Sequence, residues 1–237
     1  MQTSLQNRDR GLRIGAMSSG RVFRFTPTPE HQAKHLFVFL HGCGATAQSM
    51  IPIAFKFQAR FPSAALVVPS GFDPDARGGA AQDWYPTRGL NADNHHERVA
   101  AVLPDVEDLI RREQTNFHVS ASRTVLIGFS QGGTVALEAV KAPGLAGAVV
   151  AFSSRFARTP ARGSRIASRI HLVHGAYDSV VSRVYAERAA RVLAGLHVPV
   201  TLDIVDDLGH ALSHRAISLG SLRLLQGIYE GRRATLH

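Results

Sequence analysis

The sequence predicts an α/β domain built on a mostly parallel central sheet with helices on both faces. Three observations carry this. Short, continuously apolar runs recur along the chain, as strands buried on both faces require. Segments with apolar residues at helical spacing separate those runs, the alternation expected of parallel strands joined by helical crossovers. The residues with chemical potential fall just after the apolar runs, where open α/β sheets gather their sites.

Val22-Phe23-Arg24-Phe25 alternates weakly and reads as an edge strand. Residues 36–40 (Leu-Phe-Val-Phe-Leu) form the first buried strand, ended by His41-Gly42-Cys43-Gly44. Residues 49–60 look helical, with Pro52 in the first turn, where a missing N–H leaves no bond unmade. Residues 65–68 (Ala-Leu-Val-Val) make a second buried strand, closed by Pro69, and a long loop runs from Gly71 to Asp93 through Gly78, Gly79, Asp83, Trp84 and Tyr85. Loops of this length in compact domains are commonly functional. Val99, Val102, Leu103, Val106, Leu109 and Ile110 then recur at helical spacing, predicting a helix over about 95–114. Strands follow at 124–127, 148–152, 170–173 and 198–205, with helices over 135–140, 182–196 and 211–229.

The 237 residues suit one domain, expected over 21–237 behind a flexible polar tail at 1–20. Hydrophobic content is 45% and charged content 19%, ordinary for a globular chain. The longest apolar runs, such as 146–152, are too short to cross a bilayer. The tail carries Arg8, Asp9, Arg10 and Arg13 and lacks the apolar core of a secretory signal; Met17 is a second candidate start. A lone cysteine, Cys43, excludes an intrachain disulfide. Together these lead us to expect a cytoplasmic protein.

Net charge is +9, mostly from arginine. An anionic partner would explain it, but the basic residues are spread along the chain and do not alternate with aromatics, so no nucleic-acid binding is expected. One cluster, Arg155, Arg158, Arg162, Arg165 and Arg169, lies in a loop containing Pro, Gly and Ser. It reads as solvated loop charge, with steering of anionic substrates as the alternative.

The most informative stretch is Gly128-Phe129-Ser130-Gln131-Gly132, between a strand and a helix-forming run. A serine in so tight a turn is pushed out of the backbone, and the flanking glycines are needed because a Cβ would clash. Its hydroxyl then stands at a helix N-terminus, where N–H groups favour developing negative charge. The same pattern also arises as a structural turn in glycine-rich chains, so the partners decide. A nucleophilic serine needs a base, and the base a carboxylate. His210, in Asp206-Asp207-Leu208-Gly209-His210, follows a strand and is preferred as base to His214, which falls within the last helix. His95, His96 and His118 read as surface residues. Asp178 follows the strand at 170–173 and is preferred as acid to Asp206 and Asp207, which read as turn or capping residues. Oxyanion donors are expected from the amides of Gln131 and Cys43, in a loop whose glycines let N–H groups turn inward.

In order along the chain, Leu40-His41-Gly42-Cys43-Gly44, Gly128-Phe129-Ser130-Gln131-Gly132-Gly133, His174-Gly175-Ala176-Tyr177-Asp178 and Gly209-His210 resemble the phospholipase/carboxylesterase family of the α/β-hydrolase fold. That group includes carboxylesterases and acyl-protein thioesterases, and the resemblance covers roughly residues 36–229. It implies a Ser130–Asp178–His210 triad, oxyanion amides at Cys43 and Gln131, no metal and no cofactor. It further implies hydrolysis of small-molecule esters or thioesters with short to medium acyl chains. Trp84-Tyr85 resembles an aromatic element near the family's acyl site, and Trp84, Tyr85 and Phe156 are expected to line the substrate pocket. Cys43 departs from the leucine usual at that position. The expected function is a serine carboxylesterase. Alternatives are an acyl thioesterase or lysophospholipase with the same triad, or, more distantly, a non-catalytic anion- or nucleic-acid-binding protein. A homodimer is the assembly considered.

Overall fold

The computed structural model describes residues 12–17, 20–27, 32–74 and 81–234. Along the chain come β1 (Leu12–Met17), β2 (Gly20–Phe25), β3 (His35–Leu40), α1 (Ile51–Arg60) and β4 (Ala64–Pro69), then two short strands, β5 (Asp73–Pro74) and β6 (Gln82–Asp83). After them come α2 (His95–Phe117), β7 (Thr124–Phe129), α3 (Gln131–Ala139), β8 (Ala148–Phe152), β9 (Arg169–Gly175), α4 (Val184–Gly195), β10 (Val200–Val205) and α5 (His214–Ala234).

Among the described residues, eight strands form one sheet in the order β1-β2-β4-β3-β7-β8-β9-β10. The six from β4 to β10 in that order are parallel. β1 and β2 run antiparallel at one side. Two expectations change here. The strand at 22–25 is not an edge, because β2 is paired on both sides. Its outer partner β1 lies inside the stretch read as a tail, held by a register from Leu12 opposite Phe25 to Met17 opposite Gly20. Residues 1–11, 18–19, and Gly78 and Gly79 of the long loop lie outside the described residues.

Alternation along the strands loads both faces. On β3, Leu36, Val38 and Leu40 point into a core closed by α2, α3 and α4. Phe37 and Phe39 point the other way, against Phe57 of α1 and Ile217 and Leu224 of α5. Phe37 and Phe39 meet the Phe57 ring edge-on at 6.3 and 5.6 Å. Each such fully buried phenylalanine contributes about 1.5–3 kcal/mol. Because both faces are covered, solvent-accessible polar side chains gather mainly beyond the strand ends. The carboxyl ends of β3, β7, β9 and β10 all open at one end of the sheet.

Candidate active site

Ser130 links β7 directly to α3 and adopts φ +52°, ψ −116°, a conformation L-residues rarely hold. Two close approaches explain the glycines around it. A Cβ on Gly128 would sit 2.5 Å from the main-chain nitrogen of Gly133. A Cβ on Gly132 would run into the carbonyl oxygens of Leu40 and His41, because α3 begins against the end of β3. The Gly132 N–H uses that proximity and donates to the His41 carbonyl at 3.1 Å.

His210 lies beyond β10, with its ring against Phe129 at 5.0 Å between centroids. Its Nε2 is 2.9 Å from Ser130 Oγ and its Nδ1 2.8 Å from Asp178 Oδ2. Asp178 follows β9, and its carboxylate is fully enclosed, whereas the His210 side chain keeps 16% of its surface exposed. Oδ1 of Asp178 accepts the N–H groups of Val180 and Val181 at 3.0 and 2.8 Å. A second imidazole stands near Oδ2, with His174 Nε2 at 3.2 Å. Nε2 of His174 also faces the Val181 carbonyl at 2.7 Å, so both its neighbours are acceptors and it carries the proton. Burial alone would raise the Asp178 carboxyl. The hydrogen bonds from His210 and from Val181 and Val180 outweigh it and hold the group below the ordinary carboxylate value. The ionised Asp178 in turn requires the proton of His210 on Nδ1, leaving Nε2 free to accept from the serine hydroxyl.

His214, the competing base, opens α5 and is exposed; Asp206 and Asp207 are exposed turn residues after β10. His96 is half-buried and His118 exposed. His95 departs from the surface reading: it is 3% exposed and faces the site. The helical stripe already contained this signal, since His95 precedes Val99 by four residues.

Ser130 opens into a cavity of about 280 Å³ whose lining includes Cys43, Gln131, Tyr85, His95, Arg155 and Tyr185. Cys43 and Gln131 thus lie on the cavity wall beside the serine. The loop of residues 41–45 is close enough that a Cβ on Gly42 would stand 3.0 Å from the Phe129 ring and 3.6 Å from Ser130 Cβ. That loop is held by the long one behind it. Gly44 N–H donates to Asp83 Oδ1 at 2.6 Å, Gln82 N–H donates to the Ala45 carbonyl at 3.0 Å, and Trp84 Nε1–H donates to the His41 carbonyl at 2.9 Å. The Gln131 side chain completes the clamp, accepting from Trp84 N–H and donating to the Tyr85 carbonyl, each at 2.8 Å. His41 is fully buried and held neutral, its pKa lowered chiefly by burial.

Of the expected pocket residues, Tyr85 lines the cavity. Trp84 and Phe156 do not: Trp84 is fully buried behind the 41–45 loop, and Phe156 belongs to the core under α3. Their apolar area is better used inside than on a wall that polar groups already furnish. Arg155, grouped with solvated loop charge, instead turns into the cavity three residues after the end of β8. A larger open cleft of about 1040 Å³, lined in part by Lys34, Arg123 and Arg169, contains none of these residues. Among the described residues, no group of three or more His, Cys, Asp or Glu is arranged to hold a metal ion, and no helix is long and apolar enough to cross a membrane.

This geometry has relatives. The pattern of the Phospholipase/Carboxylesterase family matches residues 24–219. Esterase YpfH of Escherichia coli (strain K12) is 39% identical over 191 residues, 80% of this chain and 82% of that protein. Acyl-protein thioesterase 1 of Cryptococcus neoformans var. neoformans serotype D is 29% identical over 128 residues, 51% of this chain and 52% of that one. Among solved structures, esterase PE8 superposes with a TM-score of 0.79 at 23% identity, covering 86% of this chain and 96% of its own. SOBER1 of Arabidopsis thaliana does so with 0.68 at 22%, covering 81% and 100%. At those identities the structural likenesses speak for the α/β-hydrolase fold alone, whereas the family pattern runs through the serine elbow, the Asp178 turn and the His210 loop together. The chain belongs to the phospholipase/carboxylesterase family.

Proposed function

We propose that the protein is a serine esterase in which Ser130, His210 and Asp178 hydrolyse carboxyl esters of short to medium acyl chains. The unbroken hydrogen-bonded chain from Ser130 Oγ through His210 to Asp178 carries the reading. Ser130 Oγ attacks the ester carbonyl as His210 Nε2 takes its proton. The new oxyanion is received by the amides of Cys43 and Gln131. His210 returns the proton to the leaving alcohol as the C–O bond breaks. Water then enters, loses a proton to His210 and attacks the acyl-enzyme; the acid departs and Ser130 regains its hydrogen. A cavity of about 280 Å³ lies just below the usual range for drug-sized ligands and favours the shorter acyl chains.

The same machinery would cleave thioesters, and the similarity to a protein called acyl-protein thioesterase 1 keeps that reading as the second. Ratios of kcat/KM across matched ester, thioester and lysophospholipid substrates separate the three activities. Ser130→Ala tests the whole assignment: p-nitrophenyl butyrate turnover is expected to vanish and fluorophosphonate labelling with it, while the circular dichroism spectrum is kept. Retained turnover would reject Ser130 as nucleophile. Tight, salt-sensitive nucleic-acid binding without labelling would favour the non-catalytic alternative. Cytoplasmic location and a homodimer belong to this reading too, checked by fractionation and by sedimentation.

A further inference from the structure

Among the described residues, the cavity beside Ser130 holds a cation with no anion. Among the described residues, Arg155 has two partners. One guanidinium nitrogen is 3.1 Å from His95 Nδ1, and its carbon lies 4.8 Å from the centre of the Tyr185 ring. Neither partner is negatively charged. His95 cannot compensate the charge, because its Nδ1 must accept from a group that only donates. Nε2 therefore keeps the hydrogen and donates it to Tyr85 Oη at 2.9 Å. Burial, with Arg155 and His96 nearby, lowers His95 to about 4, so the imidazole is neutral at working pH. Among the described residues, the carboxylates nearest the site are already engaged: Asp178 by three donors, and Asp83 by Gly44 and Thr87.

Arg155 is also held in place. Its guanidinium carbon lies over the Tyr185 ring and one N–H is committed to a nearly fully buried histidine, while four N–H groups remain. A flexible surface arginine would lose rotamer freedom on meeting a ligand; this one has already lost part of it. A pre-oriented guanidinium fork matches the geometry of an oxyanion better than an ammonium would.

We propose that Arg155 is a specificity-determining residue, and that the ester cleaved at Ser130 carries an oxyanion, a carboxylate or a phosphate, within the same small cavity as the scissile carbonyl. The proposal rests on the esterase reading above. A phosphate would sit on the alcohol side of a phosphorylated polyol ester, a carboxylate on the acyl side of a half-ester.

The experiment measures kcat/KM by pH-stat for two matched pairs: monoethyl succinate against ethyl butyrate, and acetylglycerol phosphate against acetylglycerol. The charged member is expected to win by about tenfold or more in at least one pair, the size of one charge-assisted hydrogen bond in a partly desolvated site. The winning pair identifies the oxyanion. Arg155→Gln should bring that ratio near one. Arg155→Lys, which keeps charge without the fork, should restore part of it. Raising the salt concentration should lower the ratio in the native protein, a readout independent of any variant's folding. Preference for the neutral member in both pairs, or a ratio untouched by Arg155→Gln and by salt, overturns the proposal while neutral-ester turnover leaves the esterase reading standing. Absence of turnover and of fluorophosphonate labelling in the native protein would instead overturn the esterase reading beneath it.

Discussion

Replacing Asp178 by asparagine changes one atom and should remove nearly all activity. Asp178 accepts three hydrogen bonds, from Val180 and Val181 N–H on Oδ1 and from His210 on Oδ2, with His174 Nε2 standing 3.2 Å from Oδ2. Asparagine has one accepting oxygen. If that oxygen keeps the two backbone N–H groups, which cannot change character, the NH2 faces the two imidazoles. A donor there forces His210 to present a bare Nδ1, and its proton moves to Nε2, 2.9 Å from Ser130 Oγ. The imidazole then donates to the serine and can no longer accept its proton. The same isosteric change in a serine protease triad costs about 10,000-fold in kcat, or about 5.4 kcal/mol of transition-state stabilisation. The same size is expected here, because the carboxylate is enclosed and water cannot take over its role. The assay is kcat for p-nitrophenyl butyrate, with thermal melts to show that the variant folds. A folded Asp178→Asn enzyme within about tenfold of native kcat would refute the tautomer argument and the general-base role built on it.

Two further predictions follow from packing and burial. Gly132→Ala sets a methyl against two main-chain carbonyls that no side-chain rotation can move; about 3 kcal/mol of stability should be lost in urea unfolding, and a loss under about 1 kcal/mol would contradict the close approach of α3 to β3. His171 is 1% exposed and pushed to about 4 by burial and by Arg169 and Arg223, against about 6.5 in an unfolded chain. The unfolded state therefore binds the proton first as pH falls. The stabilisation is complete above about 6.5, declines between there and about 4, and is gone below, a loss of about 2–3 kcal/mol for this one group. His171→Asn should flatten that part of the stability-pH curve in denaturant unfolding at pH 7 and 4.5; an unchanged slope would assign the acid sensitivity elsewhere.

Much of the molecule was legible in the sequence because its signals are local. The strand at 148–152 needs only its run of apolar residues, and the elbow at Ser130 needs only glycines at fixed offsets, since the clashes they avoid arise within a few residues. Asp178 and His210 were singled out by a rule of architecture: each lies in the loop that follows a strand, β9 and β10. His95 and Arg155 were misread for the opposite reason. Whether a histidine at the start of α2 meets solvent or an arginine 60 residues later is a matter of which loops cross the same end of the sheet. Trp84 was assigned to the pocket on its aromatic character, yet its indole N–H is used on the His41 carbonyl, a partner brought near only by tertiary packing. The strand β1 escaped notice because its few apolar residues, Leu12, Ile14 and Ala16, alternate with Arg13 and Gly15 in a stretch read as polar, and an outer strand is defined by its partner.

By itself, then, the sequence determined the alternation of strands and helices, the tight turn that exposes Ser130, and the placing of Ser130, Asp178 and His210 after successive strands. These depend on backbone sterics and on apolar periodicity, both of which act over short separations. Only the folded chain decided that Asp83, Trp84 and Gln131 brace the loop beside the serine, and that Arg155 and His95 face the same cavity. Those are contacts between segments dozens of residues apart, and their energies exist only once the sheet has brought the loops to one end.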